Sequence, residues 1–160
     1  MNVVHHPFEP VCGDDPRLLI LGTMPSVASR EDGFYYGHPR NRFWQVLAAV
    51  FEEPVAADRA EKKSLLIRNG IALWDVLSSC EIEGSADSSI RRPVPNDVEG
   101  FMRRYGIAAV FANGGTAGRL AKRYGVEAFV LPSTSPANAH ARLAGLIEAW
   151  SVIRTNNPAY

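Results

Sequence analysis

The chain has 160 residues, 17 basic and 17 acidic side chains and hence no net charge, and 46% of it is hydrophobic. That size and balance suit one soluble globular domain with a real core, and they argue against a nucleic-acid binder held by a broad basic face. No apolar run approaches the ~20 residues of a membrane span, and two distant cysteines, Cys12 and Cys80, do not make an iron–sulfur or structural zinc site.

The stretch from Met1 to Pro7 lacks the basic and apolar regions of a signal peptide. A cytoplasmic monomer with reduced thiols is therefore expected. The run Arg17-Leu18-Leu19-Ile20-Leu21-Gly22 reads as a buried parallel strand. From Arg42 to Phe51 the apolar residues fall at helical spacing, and Pro54 closes that segment. A second helix is predicted from Ala57 to Asn69, with Asp58 as its N-cap and Gly70 as its stop.

Ile71 to Leu77 reads as a second strand that turns polar at Asp75. Residues 81–96 hold Ser, Asp and Pro and are predicted as loop, with Asn96 capping a helix that runs to Tyr105. Ala108 to Ala112 is the third strand, and Asn113-Gly114-Gly115-Thr116 leads into a helix ending near Tyr124-Gly125. Ala128 to Leu131 is the fourth strand. Ser133-Thr134-Ser135-Pro136 then opens the last long helix, which carries Leu143, Leu146, Ile147 and Trp150 on one face. The tail 155–160 is expected to fray. Strands alternating with helices imply an α/β fold with a parallel sheet covered on both faces.

In such a sheet the carboxyl ends of the strands share one edge, where open α/β folds bind their ligands. Gly22-Thr23, Asp75, Asn113-Gly114 and Ser133-Thr134-Ser135 should therefore converge. Beside them lies Gly33-Phe34-Tyr35-Tyr36-Gly37-His38-Pro39-Arg40-Asn41-Arg42-Phe43-Trp44, too aromatic for a loop that only connects. Its rings suit a stacked flat ligand, and its one amide suits a neutral nucleophile such as water. On spacing alone Asn41 also fits as N-cap of the helix that follows.

Three segments together carry a resemblance. They are Leu21 to Ser26 with Tyr35 to Trp44, Gly70 to Leu77, and Leu131 to Ala139. In this order they resemble the uracil-DNA glycosylase superfamily, and most closely its deoxyinosine (hypoxanthine) branch. The resemblance implies a three-layer α/β/α sandwich with a four-stranded parallel sheet, no metal or other cofactor, and DNA containing deaminated bases as the partner. It implies a monofunctional glycosylase of base excision repair, acting on deoxyinosine first and deoxyuridine next. A uracil-preferring enzyme and a non-catalytic nucleotide-binding module on the same fold are the alternatives.

By the same resemblance Asn41 activates water, Tyr36 stacks on the extruded base and Asp75 reads it. Gly22, Thr23, Met24, His38 and Asn113 join the substrate pocket. Ser26, Ser133, Thr134, Ser135, Ala137 and Asn138 would hold DNA. This chain departs from other branches at three positions. Met24 stands where they carry Asp or Asn, Ser133 where they carry histidine, and Ala137 where they carry a bulky wedge. The first departure shifts the burden of placing water to Asn41. The second leaves His38 either as an aid to the leaving base or as a loop hydrogen-bonder. Hydroxyls and the N-terminus of the helix opened by Ser133-Thr134-Ser135-Pro136 can still grip phosphate without net charge.

Overall fold

Leu18 to Gly22 form β2, and every one of these residues is buried, as a strand covered on both faces requires. The computed structural model describes residues 2–155. β2 pairs in parallel with β3 (Ile71–Asp75) on one side and with β6 (Ala109–Asn113) on the other. β7 (Phe129–Leu131) adds parallel to β6, which gives the order β3-β2-β6-β7. The chain leaves β2 to build one side of the sheet and returns to build the other. The carboxyl end of β2 is therefore the switch point where a crevice opens.

Alternation along each strand divides the core into two. Leu18, Ile20, Leu73 and Phe111 face one helical layer, formed by α2 (Phe43–Val50), α3 (Arg59–Arg68), α6 (Leu143–Trp150) and α7 (Val152–Thr155). Leu19, Leu21, Ala72 and Val110 face the other, which includes α4 (Val98–Tyr105) and α5 (Gly115–Arg123). Two layers of helix around a parallel sheet make the expected sandwich. Burial of Phe43, Leu47 and Trp150 from facing helices contributes roughly 1.5–3 kcal/mol for each fully buried large apolar side chain.

Three local expectations are corrected. Residues 81–96 are not loop throughout. Leu77–Ile82 form β4 and Arg91–Pro95 form β5, and with β1 (Asn2–His5) they make a separate antiparallel sheet, order β1-β4-β5. Pro93 and Pro95 disguised β5, yet an edge strand tolerates residues that cannot donate to a ladder. Register shifts between β4 and β5 break the simple alternation.

A short helix, α1 (Val27–Asp32), follows Pro25, and Ser26 caps it. The N-cap of α4 is Asp97, whose carboxylate accepts from Gly100, not Asn96. Asn96 instead donates its amide to the carbonyls of Asp75 and Leu77, pinning the end of β3. Finally, the last helix begins at Leu143, so Ser133 to Arg142 is a loop. Asp58 does cap α3. Of the tail expected to fray, Thr155 closes α7 and the rest lies outside the described residues.

Candidate active site

Strand register brings the expected groups to one line. Gly22 pairs with Asp75, Leu21 with Ala112 just before Asn113, and Asn113 with Leu131 just before the Ser133 loop. They border a cleft of about 400 Å³, within the range of pockets that hold small ligands. Gly22, Thr23, Met24, Ser26, Tyr36, Asn41, Asp75, Asn113, Ser133, Thr134, Ser135 and Ala137 all line it. Residues separated by more than a hundred positions thus share one space because parallel strands end together.

Gly22 is required by close approach. A Cβ there would lie 2.3 Å from Asp75 Oδ1 and 2.8 Å from the Tyr36 hydroxyl oxygen. The Asp75 carboxylate is buried, and its other oxygen, Oδ2, lies 2.7 Å from His6 Nε2. His6 Nδ1 accepts the backbone N–H of Phe8 at 3.2 Å. The ring proton consequently sits on Nε2 and is donated to the carboxylate. Oδ1 is left on the Gly22 side, toward the cleft.

Asn41 lines the same cleft, in a chain of hydrogen bonds whose direction is fixed at both ends. The backbone N–H of Phe43 donates to Asn41 Oδ1 at 2.9 Å, so that atom must be the oxygen. The Thr134 hydroxyl donates to the same oxygen at 2.8 Å. The Asn113 amide donates to Thr134 Oγ1 at 3.0 Å, and Asn113 Oδ1 accepts the Thr134 N–H at 3.0 Å. Both lone pairs of Asn41 Oδ1 are then engaged, and its Nδ2–H groups are what the side chain can still offer. Thr134 is wholly buried. Its hydroxyl faces this chain and is not available for the phosphate contact expected of it.

Tyr36 adopts φ +54°, a left-handed conformation that is uncommon outside glycine and tends to be kept at functional positions. Its ring stacks on Phe43 with centroids 4.1 Å apart and planes 29° apart. The hydroxyl is buried without a hydrogen-bond partner. Burial first, and the Asp75 charge second, push its ionisation well above the usual phenol range, against a smaller opposing pull from Asn113. Tyr35 shifts the same way for the same leading reasons and donates its hydroxyl to the Glu9 carbonyl at 2.9 Å.

His38 and Asn138 are not among the cleft-lining residues. His38 Nδ1 accepts the Arg40 N–H at 3.0 Å, which is the loop-bonding alternative. Asn138 Nδ2 donates to the Ser133 carbonyl at 3.0 Å and holds the loop closed. Ser26 accepts the Ser29 N–H as the cap of α1 while also lining the cleft. Ser133 and Ser135 use their hydroxyls to accept the N–H groups of Ser135 and Ala137. Ala137 lies exposed at the rim.

Three parts of the site have no local signal in the sequence. His6 comes from an unremarkable N-terminal stretch and reaches Asp75 only because β1 pairs with β4. Arg42 donates to the carbonyls of Ser135, Asn138 and Ala141, clamping the 133–142 loop to the start of α2. Ser85 to Ser88 form another stretch of the cleft lining, and Ser85 accepts the Val27 N–H at 2.9 Å. No lysine lines the cleft. Among the described residues no group of three or more His, Cys, Asp or Glu side chains gathers as metal ligands would. Nor is any described helix long and apolar enough to cross a membrane.

Comparison with known proteins agrees with this geometry. A family model of the uracil DNA glycosylase superfamily matches residues 9–154. A hypoxanthine DNA glycosylase of Methanosarcina acetivorans is 37% identical over 136 residues, covering 82% of this chain and 86% of that protein. One of Methanosarcina barkeri is 31% identical over 151 residues, covering 89% and 96%. A solution NMR structure of a candidate uracil DNA glycosylase from M. acetivorans superposes with a TM-score of 0.81 at 32% identity, covering 97% of this chain and 99% of that one.

Proposed function

The chain belongs to the uracil DNA glycosylase superfamily, and from that premise we propose that it is a monofunctional glycosylase releasing hypoxanthine, and secondarily uracil, from DNA. Hydrolysis of an N-glycosidic bond and a part in DNA repair come with membership of the family and with the named relatives. The choice of base and the residue roles are our reading. One observation carries it: a fixed carboxylate and a fixed neutral amide line the same cleft.

The target nucleotide is extruded from the stack so that its base enters the cleft. Deamination turns adenine N1 from a lone pair into an N–H donor, and does the same to cytosine N3. Asp75 Oδ1 accepts that new proton. Undamaged adenine would set a lone pair against a buried carboxylate, and leaving such a charge unpaired costs more than losing one neutral bond. His6 holds Oδ2 so that Oδ1 is the atom presented. The Tyr36 ring, backed by Phe43, stacks on the base, an interaction worth roughly 1–3 kcal/mol in nucleic-acid binders.

Cleavage develops positive charge at the sugar and negative charge on the departing base. Asn41 holds water through Nδ2–H, accepted by one lone pair of the water, while the other attacks C1′. Once the water oxygen bonds that cationic carbon it gives up a proton, which neutralises the departing base anion, so a strong base is not needed. Thr134 and Asn113 keep the amide from rotating, which is preorganisation of the kind that catalysis depends on. The absence of lysine from the cleft lining supports hydrolysis over a Schiff base.

The reading is tested by base release from matched oligonucleotides bearing inosine, uracil, xanthine or adenine. Inosine should be cleaved fastest, uracil more slowly and adenine not measurably. Cleavage of uracil with inosine untouched would favour the uracil-preferring alternative. No release from any of them would favour a binding module.

A further inference from the structure

Four exposed arginines surround a second groove of about 460 Å³. Arg91 and Arg92 come from β5, and Arg119 and Arg123 from α5. The groove and the cleft adjoin. Asp87 lines both of them, and α5 starts immediately beyond Asn113 of the cleft and carries Thr116 and Arg119 into the groove. Arg119 and Arg123 are one helical turn apart and so project from the same face.

In a chain with no net charge, gathering four guanidinium groups around one hollow concentrates positive potential there and draws anions to it. The nearby carboxylates do not balance them. Glu81 pairs with Arg92 at 3.0 Å, and Asp87 faces Arg119. Two acidic groups against four basic ones leave a positive groove.

The three arginines other than Arg92 are held weakly by the protein itself. Arg91 donates to the Ile90 carbonyl, Arg119 to the Thr116 hydroxyl at 3.2 Å, and Arg123 lies over the Tyr124 ring. Arg92 sits at φ +49°, a left-handed conformation for a residue with a side chain, where β4 and β5 slip register. Strain of that kind, of order 1–3 kcal/mol, is usually retained where a side chain must be aimed. Arginine, with its planar fork, matches phosphate oxygens in pairs.

We propose that Arg91, Arg92, Arg119 and Arg123 form a phosphate track that carries one arm of the DNA away from the cleft. This rests on the DNA glycosylase reading and assigns a binding surface outside the cleft itself. The track concentrates the electrostatic part of DNA affinity on one side of the target nucleotide.

The test is equilibrium binding of an undamaged duplex across a salt series, which needs no excision, so its failure is separate from failure of the base-release assay. Each phosphate contact contributes about 0.9 to the slope of log affinity against log salt. Arg119→Gln with Arg123→Gln should therefore lower the slope by about 2, and all four glutamines by about 3–4. The corresponding lysine variants should keep most of it, which shows that charge and not folding is being read. Lys62→Gln with Lys63→Gln, on α3, should leave it unchanged. A second arm uses inosine duplexes shortened from either end. Trimming one end alone should abolish the effect of the glutamines. A wild-type slope in the fourfold glutamine variant, an equal fall with the Lys62 and Lys63 variants, or indifference to which end is trimmed would overturn the track.

Discussion

One wall of the cleft is ionic and draws on the N-terminus, where His6 Nε2 holds the Asp75 carboxylate at 2.7 Å. The other wall is neutral and runs from Asn113 through Thr134 to Asn41, anchored by the backbone N–H groups of Thr134 and Phe43. The contrast separates two tasks. A charge is selective because a mismatched partner leaves it buried and unpaired. An amide chain is indifferent to the base but sets direction, since each of its bonds can point only one way. Changes to the first wall should alter which base is released, and changes to the second should alter how fast.

His6→Ala should have the largest effect on stability. It leaves the buried Asp75 carboxylate without its hydrogen-bond donor, a loss of about 1.5–3 kcal/mol for a hydrogen bond to a charged group. Chemical denaturation would measure it. His6→Gln, which can restore a donor to Oδ2, should recover most of the stability and the preference for inosine over adenine. If His6→Ala unfolds at the wild-type denaturant concentration, the ionic wall is not held this way.

Thr134→Val keeps shape but removes the hydroxyl, leaving the Asn113 amide without an acceptor. A cost of about 1–3 kcal/mol in stability is expected. Single-turnover cleavage should fall about tenfold or more, because small misplacements of a reacting group are costly. The ratio of inosine to uracil cleavage should stay constant. A changed ratio with an unchanged rate would break the division between the walls. Thr134→Ser should rescue the rate.

The smallest effect concerns the rim, which belongs to neither wall. Ala137 is too small to fill the space a flipped nucleotide vacates, and flipping is cheapest from weakly paired or single strands. Inosine in single strands or weak pairs should be released several-fold faster than inosine opposite cytosine, and Ala137→Leu should narrow the gap. Equal rates on both would point to Arg142 as the wedge, since Asn138 is occupied with the Ser133 carbonyl.

The strands and their shared edge were legible because burial on both faces leaves uninterrupted apolar runs, as at Leu18 to Leu21, and each run ends in a polar or glycine residue. Gly22, Asp75, Asn113 and Ser133 followed from that alone. The resemblance singled out Asn41 and Tyr36. The second sheet was hidden by the prolines of β5 and by the slipped register of β4. His6 and Arg42 were invisible for a different reason. Their partners lie 69 and more than 90 positions away, and nothing in the neighbouring residues marks a histidine or an arginine that will bond across the fold. Thr134 was legible as a residue but not as a role. Only its burial turns a hydroxyl expected to face phosphate toward Asn41.

The central claim is the division of labour between Asn41 and Asp75, and single-turnover base release by Asn41→Ala and Asp75→Asn on inosine and adenine oligonucleotides tests it most directly. Asn41→Ala should lose about 10²–10³ in rate, the usual scale for removing one preorganised group, while still binding DNA. In Asp75→Asn, His6 still donates to the remaining oxygen, so the new N–H group faces the base and meets the lone pair of adenine N1. Inosine release should fall and discrimination against adenine should weaken. Asn41→Ala within several-fold of wild type would reduce Asn41 to a bond at the start of α2, and an unchanged preference in Asp75→Asn would remove Asp75 from base reading.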